Sequence, residues 1–221
     1  MRKPKIPDAA IKRLPVYLRV LEDVKAGEVQ IVSSAELAEK TGFSPEQIRK
    51  DLAYFGAFGT RGVGYDTSVL SRRISKILGL HLGVKAALVG AGHLGYALAR
   101  YSLSKHKDVR LVAIFDADPA KVGTEVMGVP VQEASNMESV IRSEGIKIGI
   151  ICVPASEAQN VAEQMAGAGV EALLNFAPAK LRLGTGVFVQ NIDLTIELQS
   201  LAYYTSASTA EAGAEDDIKA E

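Results

Sequence analysis

Three glycines spaced as Gly90-x-Gly92-x-x-Gly95 follow a short apolar run, Val84–Val89, and precede apolar residues at helical spacing. This pattern is typical of dinucleotide binding when it lies in a strand–turn–helix unit of about 30 residues. The first glycine permits a tight turn, the second lets the backbone approach a pyrophosphate, and the third allows close packing of helix on strand. Free N–H groups at the start of that helix favour phosphate. The loop Gly90-Ala91-Gly92-His93-Leu94-Gly95 is therefore a candidate phosphate-binding turn.

Asp116 ends the second apolar run, Leu111–Phe115, 21 residues after Gly95. A carboxylate at this position accepts hydrogen bonds from the 2′-hydroxyl of an adenosine ribose and repels a 2′-phosphate. The sequence therefore predicts NADH or NAD+ as cofactor, in preference to NADP(H).

Catalytic machinery is not evident beside this predicted cofactor site. Residues 84–195 suffice for a nucleotide-binding fold, and only a short, mostly polar segment follows them. Tyr101 and Lys105 have the Tyr-x-x-x-Lys spacing of short-chain dehydrogenases, but they fall on the first helix after the glycines rather than far downstream. Cys152, inside an apolar run, is interpreted as a small buried hydrophobe. We predict no catalytic residue, no metal site and no enzyme activity.

The charge of the chain is unevenly distributed. Residues 1–80 hold 14 basic and 9 acidic side chains, whereas residues 81–221 hold 11 basic and 17 acidic ones. Such asymmetry indicates that the first part of the chain meets a polyanion.

Two short helices are predicted in the basic part, opening at Ser33 and Ser44 and joined by Thr41-Gly42-Phe43, the spacing of a helix-turn-helix. Glu36 and Gln47 stand where they would close capping boxes, and Pro15 is expected to kink or divide the preceding helix. The second helix would lie in a major groove, and the glycine-rich hairpin after it resembles a wing. The candidate DNA-binding residues are Ser44, Gln47, Arg49, Lys50, Tyr54, Arg61 and Gly62.

Beyond residue 83 apolar strands alternate with helical patterns, which predicts an α/β fold with a Rossmann-type, doubly wound parallel sheet. We assign residues 1–80 to a winged helix-turn-helix domain, 81–192 to the Rossmann domain, 193–206 to a C-terminal helix and 207–221 to an acidic, disordered tail. No apolar stretch is long enough to cross a bilayer and no secretory signal is recognisable, so a cytoplasmic location is predicted.

Several motifs together resemble the Rex family of redox-sensing transcriptional repressors. They are the stretches 47–56 (QIRKDLAYFG) and 59–65 (GTRGVGY), the glycine loop, 115–119 (FDADP) with 121–123 (KVG), and 175–178 (NFAP). The resemblance covers roughly residues 8–204.

The resemblance implies a homodimer that binds palindromic operator DNA and releases it when NADH binds, whereas NAD+ leaves DNA binding intact. It implies that the C-terminal helix is exchanged between subunits. It also matches Arg19 and Asp193 to an ion pair between domains and Tyr101 to a tyrosine near the nicotinamide. Tyr101, Lys121 and Pro154 complete the predicted cofactor site, and Arg19 and Asp193 are the residues predicted to couple the two domains.

Two alternatives from other functional classes remain open at this point. A small NAD-dependent oxidoreductase would turn over NADH, although a substrate domain is missing. A CoA-binding subunit of a metabolic ligase would be protected against unfolding by CoA, but it would need neither a helix-turn-helix nor Asp116.

Overall fold

The computed structural model describes residues 6–56, 58–60, 62–105 and 108–205. The chain divides between Gly83 and Val84 into two compact units. Within the described residues, no helix combines the length and the apolar character needed to span a membrane. The predicted acidic tail, residues 207–221, lies outside the described residues.

Among the described residues of the first unit, the α-helices are α1 (Asp8–Ala26), α2 (Ser34–Thr41), α3 (Pro45–Ala53) and α4 (Thr67–Ile77), and a short 3-10 helix follows at Leu80–Leu82. Pro15 does not divide α1, which is continuous through it. The carbonyl of Ile11, which loses its helical partner to the proline, belongs to an exposed residue, so water can hydrate it. Leu14 and Leu21, on either side of the proline in sequence, are both fully buried and hold α1 against the core of the unit.

Local capping signals set the starts of α2 and α3. Ser33 and Glu36 form the predicted capping box, in which the hydroxyl of Ser33 accepts a hydrogen bond from the Glu36 backbone N–H at 3.1 Å. Ser44 caps α3 in the same way. The second predicted box, in which the side chain of Gln47 would accept from the Ser44 backbone N–H, does not form. The amide of Gln47 donates to the Asp51 carboxylate at 2.8 Å instead, because a hydrogen bond to an ionised group is stronger than one between neutral groups.

The predicted hairpin after α3 forms a small wing. Thr60 and Gly64 exchange two backbone hydrogen bonds of 3.0 Å each. Strand β2 (Tyr65–Asp66) then pairs antiparallel with β1 (Ile31–Val32), which anchors the wing beside the helices. The unit is therefore a winged helix-turn-helix.

The second unit is built on a seven-stranded sheet. Its strands are β3 (Val84–Val89), β4 (Val109–Asp116), β5 (Glu125–Val126), β6 (Val129–Glu133), β7 (Ile148–Ile151), β8 (Ala172–Asn175) and β9 (Phe188–Asn191). Their order is β5-β6-β4-β3-β7-β8-β9, and every pair is parallel except the edge hairpin β5–β6. The order reverses at β3, where doubly wound sheets bind their ligands.

Helices cover the two faces of this sheet. One core contains the buried sides of α6 (Met137–Glu144) and α7 (Ala155–Ala168), with Met137, Ile141 and Met165 fully buried. The other core lies beside α5 (His93–Lys105), which packs on β3 and β4. The predicted Rossmann architecture is confirmed.

A last helix, α8, includes residues 194–205, and every one of these residues is exposed. Its exposed apolar side chains are Leu194, Ile196, Leu198, Leu201, Tyr203 and Tyr204. A helix with so many solvent-facing apolar side chains is typical of an element that packs on a partner.

Candidate dinucleotide and DNA sites

The glycine turn has a geometry that requires glycine at two of its three positions. Gly90 adopts φ = +99°, and a Cβ there would overlap the carbonyl oxygen of Cys152. A Cβ on Gly95 would overlap the carbonyl oxygen of Gly90. A Cβ on Gly92 would meet no protein atom within 4 Å, so the protein itself does not require glycine at this position. The contacts at Gly90 and Gly95 agree with the tight turn and the close packing predicted from the spacing, and the approach of a pyrophosphate to Gly92 stays a prediction.

Asp116 lies at the end of β4 and is almost fully buried. Its carboxylate accepts hydrogen bonds from the backbone N–H of Ala91 at 2.7 Å and of Asp118 at 2.9 Å, and from the ammonium of Lys121 at 3.2 Å. Burial alone would favour the protonated acid, but these donors outweigh it and hold the pKa of Asp116 below its usual value. Asp116 is therefore an anion that braces the glycine turn.

A cavity of about 930 Å³, here called the cofactor cavity, opens beside this turn. This volume is at the upper end for small-molecule sites and suits a dinucleotide. Of the predicted cofactor residues, Gly90, Gly92, His93, Leu94, Asp116, Lys121 and Pro154 line it. Tyr101 does not line it, but is 55% exposed and lines a separate groove on the other face of the sheet.

Cys152 follows β7 and also lines the cofactor cavity. Its burial raises the pKa of the thiol to about 12. The thiol therefore stays protonated at neutral pH and is a poor nucleophile.

Sequence reasoning missed the contribution of α7 to the cavity wall. Glu157, Asn160 and Gln164 line it from successive turns, and the amide of Gln164 donates to Asn160 at 3.2 Å. A polar stripe at positions i, i+3 and i+7 was a signal that could have found them.

In the first unit, α3 presents its polar residues in two different settings. Lys50 is exposed, on the side away from the buried Ile48. Arg49 turns back, donating to the hydroxyl of Ser34 at 2.7 Å and to the carboxylate of Glu46 at 2.8 Å.

The remaining predicted DNA contacts have mixed outcomes. Ser44 is exposed at the start of α3, Tyr54 is half-buried at its end, and Gly62 is exposed in the wing. Gln47 is half-buried and bonded to Asp51. Arg61 lies outside the described residues.

Arg19 and Asp193, which the resemblance matches to an ion pair, belong to different units. Arg19 is exposed on α1. The carboxylate of Asp193 accepts from the backbone N–H groups of Thr195 at 2.9 Å and Ile196 at 3.3 Å, so it caps α8. Their pairing stays a prediction.

Two family models match parts of the chain. A model described as "Putative DNA-binding protein N-terminus" matches residues 5–53, and one described as "CoA binding domain" matches residues 83–179. The first match lies within the first unit, and the second begins at residue 83, next to the boundary between the two units.

Relatives and solved structures cover both units together. The redox-sensing transcriptional repressor Rex of Natranaerobius thermophilus is 48% identical over 95% of this chain and 96% of its own. That of Brevibacillus brevis is 46% identical over 90% of this chain and 97% of its own.

The crystal structure of RSP in complex with beta-NAD+ and operator DNA has a TM-score of 0.86 at 35% identity, covering 96% of this chain and 98% of that one. The structure of RSP in complex with beta-NADH has a TM-score of 0.81 at 35% identity, covering 94% and 98%. Identity at this level over nearly the whole chain settles the assignment. The chain belongs to the Rex family of redox-sensing transcriptional repressors.

Proposed function

We propose that this chain represses transcription by binding an operator through α3 and the wing, and that NADH in the cofactor cavity releases it. The observation that carries the proposal is the pairing, in one chain, of a winged helix-turn-helix with a glycine turn braced by an acidic strand end. A redox sensor needs one module that reads DNA and another that reads the nicotinamide state. NADH must favour an arrangement with low DNA affinity more strongly than NAD+ does.

The apolar groove on the second unit supports a dimer. It has a volume of about 440 Å³ and is lined by Ala86, Leu98, Tyr101, Val109, Leu111, Ile148, Ile150, Leu174 and Phe176. We propose that α8 of a second copy covers this groove with the apolar side chains that it exposes. Two copies are also what a palindromic operator requires, with half-sites about 34 Å apart.

Coupling between cofactor and DNA would pass through the start of α8. Asp193 caps α8, and we propose that it pairs with Arg19 of the DNA-binding unit in one of the two states. Because linkage is reciprocal, DNA must weaken NADH binding by the factor with which NADH weakens DNA binding.

We expect Asp116→Ser to relax the choice of nucleotide. We expect the wild-type carboxylate to accept a hydrogen bond from the ribose hydroxyl of NADH and to repel the 2′-phosphate of NADPH. A hydrogen bond to a charged group changes affinity by about 10- to 100-fold, so NADH should bind more tightly than NADPH by about that factor. In the variant, Lys121 loses the carboxylate 3.2 Å away and becomes available to a 2′-phosphate. Calorimetry with NADH and NADPH measures the change.

Asp118→Asn is the matched control, because Asp118 also lies near Lys121, at 3.6 Å, but does not end the strand. It should keep the wild-type preference. If both variants relax the preference equally, general charge around Lys121 sets the choice and Asp116 loses its assigned role.

Replacing Lys50 and replacing Arg49 by alanine should weaken DNA binding in different ways. Lys50→Ala should weaken operator binding by about 1–3 kcal/mol and relax the specificity at one base pair. Arg49 is already turned toward Ser34 at the start of α2, so we assign it to the phosphate backbone. Arg49→Ala should weaken binding to all sequences and reduce the slope of log affinity against log salt by about 1.

Lys76→Ala, on the exposed side of α4, removes a positive charge from the same unit outside α3 and should leave the specificity unchanged. Fluorescence anisotropy on operator and shuffled duplexes over a salt series separates these cases. Wild-type affinity and specificity in both α3 variants would show that α3 does not read the operator.

A further inference from the structure

Asp51 is a fully buried carboxylate in the first unit, on α3. Arg13 of α1 binds both of its oxygens, with Nε at 2.6 Å and Nη2 at 2.8 Å. The hydroxyl of Tyr17 donates to it at 2.7 Å, and the side-chain amide of Gln47 donates at 2.8 Å. All four donors converge on one carboxylate, and no described buried side-chain polar atom lacks a partner.

Aromatic contacts extend this cluster to the turn of the helix-turn-helix. The guanidinium of Arg13 lies 5.7 Å from the centre of the Phe43 ring, and the Tyr17 ring meets Phe43 edge to face at 5.8 Å. Burial opposes ionisation of Asp51, but hydrogen bonds from Arg13, Tyr17 and Gln47 prevail and keep its pKa below the usual value. The carboxylate of Asp51 thus links α1, the turn and α3 through charged, directional hydrogen bonds.

A buried ionic link of this kind fixes the orientation of α3 on α1 more than it stabilises the fold. A buried ion pair often contributes little more to stability than well-packed apolar residues would, whereas its bidentate geometry tolerates little displacement. Ile48 and Leu52 would still bury the apolar side of α3 if the helix rotated slightly. A rotation of 20° would move the side chains on its outer surface by about 2 Å, since a helix with its side chains has a radius of about 5–6 Å. Recognition needs placement to within about 0.5 Å.

We infer that Asp51 is a positioning residue for operator recognition. It sets the rotation of α3 on α1 and holds the amide of Gln47, so that Lys50 and Ser44 on the outer side meet the groove in register. This inference rests on the proposed function, in which α3 reads the operator. It assigns Asp51 no contact with DNA.

The test uses the full-length chain and the palindromic site that the wild type selects from random duplexes. The readout is the ratio of operator affinity to affinity for a shuffled duplex, at a temperature where each variant is folded. Asp51→Asn keeps the shape and loses the charge, and we expect the ratio to fall at least tenfold. Tyr17→Phe keeps the ring against Phe43 and removes one hydrogen bond, and we expect a fall of about threefold. Affinity for the shuffled duplex and for NADH should stay within twofold of wild type in both.

Ile74→Val is the control, because Ile74 is a fully buried core residue of the same unit and no part of the cluster. It should lower the thermal midpoint and leave the ratio unchanged. If Ile74→Val lowers the ratio as much as the cluster variants, or if these keep the wild-type ratio, Asp51 is merely structural. Should Asp51→Asn not fold, Tyr17→Phe decides the question by the same criterion. A wild type that selects no sequence would refute the proposed function itself.

Discussion

A chain that ends at Ile192, and so lacks α8, should be monomeric, should bind NADH normally and should lose tight operator binding. The side chains that line the cofactor cavity lie between Val89 and Gln164, so the deletion removes none of them. Operator affinity should fall by about 100-fold or more, because a monomer holds a single half-site and loses the gain from linking two. Sedimentation gives the oligomeric state, and calorimetry and anisotropy give the two affinities.

A chain that ends at Thr205 is the matched control, since it keeps α8 and lacks the residues after it. It should remain dimeric and bind operator like the full chain. If the chain ending at Ile192 stays dimeric and still releases DNA when NADH is added, α8 neither holds the dimer nor couples the sites.

Gly95→Ala should lower NADH affinity by about 100-fold or more, equivalent to about 2.7 kcal/mol. The added Cβ would overlap the backbone of Gly90, which cannot move aside as a flexible side chain can, so α5 must shift away from β3. The thermal midpoint of the second unit should fall as well. Operator binding should persist and become insensitive to NADH at concentrations that release the wild type.

Two further glycine variants distinguish an effect on the stability of the fold from an effect on NADH binding. Gly92→Ala meets no protein atom within 4 Å, so it should leave the thermal midpoint unchanged and weaken NADH binding by crowding the pyrophosphate. Gly167→Ala, in the exposed last turn of α7, should bind NADH normally and gain about 0.5–1 kcal/mol of stability. NADH binding of wild-type strength by Gly92→Ala would remove this turn from the cofactor site.

Features set by neighbours in sequence could be predicted well. Ser33 and Ser44 cap their helices because a cap depends on a hydroxyl and a backbone N–H three residues away. The strand–turn–helix geometry around the glycines, with Asp116 at the end of the next strand, could likewise be predicted, because this succession of elements is compatible with few other local structures.

Features set by distant partners could not be predicted. The capping box of Gln47 failed because Asp51 is held as a buried anion by Arg13, which lies 38 residues away in sequence. Tyr101 stands at helical spacing with Leu94 and Leu98, a pattern that suggests a buried side of α5, yet it is 55% exposed and lines an open groove. Which side of a helix is covered depends on the order of the strands, and periodicity alone does not contain that order.

Operator binding titrated with reduced and oxidised nucleotide tests the central claim most directly. With the dimer bound to its selected palindrome, NADH should release DNA at concentrations where NAD+ does not, and NADPH should need about 10- to 100-fold more than NADH. Saturating DNA should weaken NADH binding by the same factor by which NADH weakens DNA binding. If NADH and NAD+ leave operator affinity equally unchanged while both bind the protein, the chain does not sense the redox state of the nicotinamide.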